Sequence, residues 1–442
     1  MKLSFARLLA DYGMILVLVL LCAFFSVATI TDQMPVGETA AKQVAAGISA
    51  QFGKTARVLI AAREQADDAA FAKKLESDLT ASGAQVLAIV KGEPKDAREA
   101  LQRIAASGGK MDAVACTQAT AGWAVFSDLA NDFPALGEPR IVKPQGYKWP
   151  NFLKSENLLN IANQIAIIAI LAIGMTLVII TGGIDLSVGS LIALSSVIAA
   201  RIIRDFAGGV HASPMGMALA CAAAILVCGL VGVFSGGMIT RFGIPPFIVT
   251  LSMMLVGSGS AYRLANNGTI SEIPQSFVWL GRGAEFFHLP NAVILMFVLY
   301  ILAHVMMSRM KIGRYIYAVG GNSEAARLSG VPVREVIVFA YAVCGLLAGL
   351  GGVIMASLLK SGSGTFGPMY ELYVIAAVVV GGTSLSGGEG KIFGTLIGAF
   401  TIAVIQNGMN LTNVESQSQR IVLGLVILSA VLLDKLRQRA GG

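Results

Sequence analysis

The sequence predicts an α-helical polytopic membrane protein, with about ten transmembrane helices and a small α/β extracytoplasmic domain inserted between helices 1 and 2. Three observations carry this reading. The 442 residues are 55% hydrophobic and only 13% charged, about half the charge of a soluble protein. The apolar residues are clumped into runs near the length of a bilayer-spanning helix. One stretch breaks the pattern: residues 31–157 hold 15 basic and 15 acidic side chains and read as soluble. This composition argues against one large water-soluble enzyme and against a disordered chain.

The first apolar run, 12–30, follows Lys2 and Arg7. About 19 residues at 1.5 Å each span a bilayer core. Ser26-Val27-Ala28 has the spacing of a signal-peptide cleavage site, but the run is long for a signal core. A retained N-terminal helix, 1–30, is the favoured reading.

The insert, 31–155, alternates strand and helix patterns. Strands are expected at 56–62, 84–90 and 112–117, with a short one near 140–142. Helices are expected at 65–82, where Phe71, Leu75 and Leu79 share a face, at 94–106, which starts with Pro94, and at 119–130. Alternation of this kind implies a parallel α/β layer. Pro139, Pro144 and Pro150 mark the return to the membrane.

The remainder, 156–442, predicts helices near 161–181, 186–203, 215–239, 245–262, 291–308, 336–359, 369–382, 392–411 and 420–434. Of these, 369–382 and 420–434 are short for a full span. Outside the insert, loops on the side of the termini carry twelve Lys/Arg and loops on the other side carry six. The positive-inside rule then puts both termini in the cytoplasm of a multi-pass inner-membrane protein, and the insert outside. The overall charge of +7 is topogenic. No basic stripe with interleaved aromatics suggests nucleic acid. Many of the 50 glycines fall inside the apolar runs. Gly345 with Gly349, and Gly394 with Gly398, have the spacing of close helix contacts in lipid.

No catalytic residue, metal site or cofactor is expected. Cys22, Cys116, Cys221, Cys228 and Cys344 show no metal-binding spacing, and His211, His288 and His304 are isolated. Gly53-Lys54-Thr55 resembles the end of a phosphate loop. The preceding Gly47 is one residue too far, and the strand follows the motif instead of preceding it. Leu385-Ser386-Gly387-Gly388-Glu389 resembles an ABC ATPase signature peptide but lies between apolar runs, where it reads as a flexible turn.

Two stretches are informative. Residues 181–190 read TGGIDLSVGS, in which Asp185 can cap the following helix. A ligand or ion role for this carboxylate stays open. Residues 309–334 form the longest cytoplasmic loop. Asn322 or Ser323 can cap a short helix running through Leu328, and Gly330 followed by Pro332 can end it. Asn163, Gln164, Asn407 and Asn410 are candidate pathway amides, because unpaired amides are costly in lipid, and each serves equally as a helix–helix contact; Glu371, near an outer helix start, is similarly ambiguous.

TGGIDLSVGS, GRYIYAVGGNSEAARLSG and GGTSLSGGEG together resemble the permease subunits of bacterial ABC importers for monosaccharides, over residues 1–30 and about 155–442. The resemblance implies an ATP-driven importer of a monosaccharide or related polyol. It implies cytoplasmic ABC ATPase subunits, a periplasmic substrate-binding protein and a second permease subunit as partners, in membrane lipid. Within the loop 309–334 it implies ATPase coupling by Gly321, Asn322, Glu324, Ala325, Ala326, Arg327, Leu328 and Gly330. The insert departs from the family and is similar to one lobe of a periplasmic sugar-binding protein. Its expected role is docking, regulatory or degenerate, with weak or no sugar binding. The rival readings are an ion-coupled secondary transporter and a membrane receptor that senses through the insert.

Overall fold

A computed structural model describes residues 5–284 and 289–441, with side chains described for 13–284, 289–432 and Lys435. The chain divides into two compact units, one of residues 1–29 and 151–442, the other of residues 30–150. His288 lies outside the described residues.

The larger unit opens with α1 (Phe5–Ala28). At its end the chain leaves and returns at one point: the Asn151 N–H donates to the Thr29 carbonyl (2.9 Å), and the Phe152 N–H donates to Thr29 Oγ1 (3.1 Å).

The smaller unit contains β1 (Ile30–Gln33), α2 (Gly37–Phe52), β2 (Arg57–Ala62), α3 (Ala66–Ser82), β3 (Gln85–Lys91), α4 (Pro94–Ala106), β4 (Ala113–Cys116), α5 (Leu129–Asp132), β5 (Arg140–Val142) and β6 (Tyr147–Pro150). Four strands form a parallel sheet in the order β3-β2-β4-β5. Alternation along the central strand β2 explains the two helical layers. Val58 and Ile60 pack with Ile48, Phe71, Leu75 and Leu79, while Leu59 and Ala61 pack with Leu101, Ile104 and Leu136. β1 and β6 pair antiparallel and bring the ends of this unit together.

Two features of this unit differ from the sequence expectation. Helix α2 had no counterpart in it, because its buried face is mostly alanine (Ala40, Ala41 and Ala45, with Val44 and Ile48) and gives a weak periodic signal. In place of the expected helix over 119–130 there are two 3₁₀ turns, Thr120–Gly122 and Ala124–Phe126, followed by the single turn α5. Thr120 is the cause: its Oγ1 accepts from the Thr117 N–H (2.9 Å) and donates to the Ala61 carbonyl (2.8 Å), which pins the chain in a turn.

The larger unit resumes with α6 (Ser155–Ile180), α7 (Val188–Phe206), α8 (Pro214–Phe242), α9 (Pro246–Leu264), α10 (Trp279–Arg282), α11 (Asn291–Arg309), α12 (Lys311–Gly321), α13 (Ser323–Leu328), α14 (Val333–Leu359), α15 (Tyr370–Val380), α16 (Ile392–Leu411) and α17 (Ser416–Gly441). Two dipeptide strands, Thr269–Ile270 and Gly362–Ser363, pair across it. Among the described residues, six helices are long and apolar enough to cross a membrane: α6, α8, α9, α11, α14 and α16. Shorter apolar stretches are Gly13–Ala28, Tyr370–Val380 and Ser416–Leu432. The chain is thus a polytopic helical membrane protein.

From Ile165 to Ile180 helix α6 is buried on every side and, apart from Thr176, apolar, which places this part at the centre of the bundle. Helix α14 packs closely on α8. A Cβ on Gly345 would collide with the Cys228 carbonyl, and one on Gly349 would stand 2.9 Å from the Ile225 Cα. Gly398 likewise lies against the Ala377 carbonyl. These glycines let backbones approach, as their spacing implies.

Helices α7 and α15 begin inside the bundle. Between α6 and α7 the chain turns inward, so that Asp185 meets Cys344, near the middle of α14. The Tyr341 hydroxyl donates to the Ile184 carbonyl (3.4 Å). Between α14 and α15 the chain also turns inward. Gly362 packs on Ser196, and Gly367 reaches Gly189 at the first turn of α7.

Candidate functional site

The loop expected over 309–334 is largely helical. Helix α12 was not anticipated because Gly313, Gly320 and Gly321 dilute its pattern, yet it buries Gly313, Ile316 and Val319 on one face. The Tyr317 hydroxyl donates to the Gly390 carbonyl (2.8 Å). Gly320 lies so close to the Ile180 carbonyl that a Cβ has no room there. The same carbonyl accepts from the Gly388 N–H (2.9 Å). The end of α6, the end of α12 and the turn 381–391 therefore meet at one point. That turn is held rather than free. Its own bonds run from the Ser384 N–H to the Glu389 carbonyl (3.1 Å) and from the Gly387 N–H to the Ser384 carbonyl (3.2 Å). Lys435 Nζ donates to Ser386 Oγ (3.3 Å).

Helix α13 stands on this base with both ends closed. Asn322, not Ser323, is its cap: the side-chain oxygen accepts from the Ala325 N–H (2.9 Å). At the other end the Val331 N–H donates to the Ala326 carbonyl (3.0 Å) and the Gly330 N–H to the Arg327 carbonyl (3.0 Å). Gly330 takes φ +82°, the left-handed conformation this terminator needs. Ala326 is buried, whereas Leu328 is 77% exposed. Arg327 Nη2 pairs with Glu324 Oε1 at 2.5 Å, and both side chains project outward. The guanidinium holds the Glu324 carboxyl below its usual pKa. A short, capped, rigid helix of this kind can transmit a displacement to the helices beneath it.

Asp185 does not cap α7 directly. Its Oδ1 accepts from the Ser187 N–H (2.9 Å) and from the Ser187 hydroxyl (2.6 Å), a turn two residues ahead of the helix. Asn407 exchanges two hydrogen bonds with Asn157 (2.8 and 3.0 Å), which makes it a contact between α16 and α6. Asn410 accepts from Gln419 Nε2 (2.8 Å). Gln164 is exposed, while Asn163 Oδ1 is buried without a partner among the described residues. Gln406 shares that state through its Oε1. It was not singled out from sequence, because one glutamine in an apolar run does not reveal which face it occupies.

Residues 157–431 match the family described as branched-chain amino acid transport system / permease component. The chain belongs to this permease family. It is the membrane permease subunit of an ABC importer, a transport component and not an enzyme. Relatives include the ribose import permease protein RbsC of Escherichia coli K12, 43% identical over 293 residues, covering 65% of this chain and 88% of the relative. RbsC of Bacillus subtilis 168 is 42% identical over 288 residues, covering 65% and 87%. The D-allose transport system permease protein AlsC of E. coli K12 is 32% identical over 285 residues, covering 64% and 85%. No solved structure matches. The α/β unit of the permease lies outside the family match.

Proposed function

We propose that this permease moves a monosaccharide or related polyol inward across the bacterial inner membrane, driven by separate cytoplasmic ATPase subunits and fed by a substrate-binding protein. The observation that carries the reading is the meeting of the three motifs beneath α13, supported by relatives named for ribose and allose import. In this reading α13 is the coupling element. Leu328, Arg327 and Glu324 contact the ATPase, Asn322 and Gly330 set the length of the helix, and Ala325, Ala326 and Gly321 form its body and base.

The ten spans are the six long helices with α1, α7, α15 and α17. Both termini and α13 are cytoplasmic, and residues 31–155 are extracytoplasmic. The permease works as a pair, with itself or with a relative. The α/β unit, a single parallel layer, serves as a docking or regulatory element. Two lobes can close over a sugar, and one cannot.

The test is reconstitution of the permease in vesicles with its ATPase and loaded binding protein. ATP-dependent accumulation of a neutral sugar is expected. Accumulation driven by a proton gradient without the ATPase would refute the reading.

A further inference from the structure

Gly189, the second residue of α7, leaves room for the Glu371 carboxylate and the Gly367 carbonyl to lie against it. Glu371 is itself in the first turn of α15. The N-terminal turns of two helices that begin inside the bundle thus converge on one half-buried carboxylate, and helix N-termini favour negative charge. Beside it opens a cavity of about 410 Å³, within the usual range of small-molecule sites, about 300–1,000 Å³. Its polar lining comes from Ser190, Ser258, Thr365 and Glu371, and its aromatic lining from Tyr262 and Phe366. The Ser190 hydroxyl donates to the Ser187 carbonyl (2.7 Å), which leaves its oxygen able to accept. Thr365 Oγ1 lies 2.9 Å from Ser363 Oγ. The cavity therefore offers hydroxyls that give and take hydrogen bonds, aromatic walls and one carboxyl group.

We propose that this cavity is a substrate site on the translocation path, specific for an uncharged polyhydroxyl compound, with Glu371 accepting hydrogen bonds from substrate hydroxyls. The inference rests on the import reading above and adds a place and a selection rule to it. Discontinuous helices that meet inside a membrane bundle are a recurrent way to expose backbone and polar groups to cargo. A carboxylate there repels sugar acids and sugar phosphates. Hydroxyls bind it as donors, and a hydrogen bond to a charged group is stronger than one between neutral groups.

The test uses the complete transporter in cells and in vesicles, with a panel of radiolabelled neutral pentoses, hexoses and polyols as probes. Glu371→Ala should lower uptake roughly tenfold or more, the loss of one charge-assisted hydrogen bond. Glu371→Gln should lower it less, because it keeps a hydrogen-bonding group. Ser258→Trp fills the cavity and should abolish uptake. In the Glu371 variants, ATPase stimulation by the loaded binding protein should persist, so that fewer sugars move per ATP. Unchanged uptake in both Glu371→Ala and Ser258→Trp would overturn the site. So would a parallel fall of uptake and ATPase stimulation in the Glu371 variants, which marks a structural role. Failure of the wild-type transporter to take up any probe would instead overturn the import reading, and the site with it.

Discussion

The Gly388 N–H donates to the Ile180 carbonyl at 2.9 Å, and Gly320 packs on that same carbonyl. Three stretches far apart in sequence thereby share one atom. The coupling route proposed for α13 runs through α12 to the end of the central helix α6 and, through the turn at 388, to α15 and α16.

Gly320→Ala puts a methyl group where the Ile180 carbonyl lies. It should destabilise the permease by about 1–3 kcal/mol, the range for overpacking, and reduce coupled transport. Gly321→Ala is the control, because a Cβ there meets nothing within 4 Å. Thermal melting in detergent should separate the two.

The Glu324–Arg327 pair is exposed on both sides, and such pairs contribute about 0–1 kcal/mol to stability. Glu324→Ala, Arg327→Ala and Leu328→Asp should therefore leave membrane insertion and melting unchanged. They should impair stimulation of the ATPase. Wild-type stimulation in all three would remove α13 from the coupling role.

Asn322→Ala removes the cap of α13 and should cost about 1 kcal/mol locally. Gly330→Ala forces a side chain into φ +82° and should cost about as much. Both should raise hydrogen exchange across 323–331 without a global change in protection. Coupling should weaken in proportion to the fraying.

The α/β unit offers a separate test through Asp112, which accepts from the Arg57 backbone N–H and guanidinium at 2.8–3.0 Å. Arg57 holds the Asp112 carboxyl below its ordinary pKa. A carboxyl depressed by folding contributes stability above its unfolded pKa, about 3.9. That contribution is lost as pH falls through this value toward the folded one. Residues 30–150 expressed alone should fold, and Asp112→Asn should flatten the acid limb of their stability curve. The one thiol of this segment, Cys116, is pushed up to about 12 by burial. It should resist maleimide at neutral pH until denaturant is added. Immediate labelling, with a random-coil circular dichroism spectrum, would show that the unit does not fold alone.

Apolar runs gave the positions of the long helices to within a few residues, because lipid permits little else for a buried backbone. Pro94 and the shared face of Phe71, Leu75 and Leu79 gave α4 and α3 in the same way. Features fixed by contacts distant in sequence escaped. Helix α12 is short and glycine-rich, and what fixes it is a carbonyl more than a hundred residues away in sequence. Asp185 looked like a helix cap from its position, yet the chain turns inward first and the carboxylate binds Ser187. The amides Asn407 and Asn157 are 250 residues apart, a pairing that no local pattern encodes. The cavity beside Glu371 was equally hidden. Sequence showed Glu371 at a helix start, but not that Gly189 and Gly367 bring a second helix start against it.

The most direct measurement is ATP-dependent sugar accumulation in sealed vesicles containing the purified permease, with and without its ATPase partner. Concentrative uptake only with the ATPase and ATP is predicted. Uphill accumulation by the permease by itself would contradict a gate driven from outside its own chain.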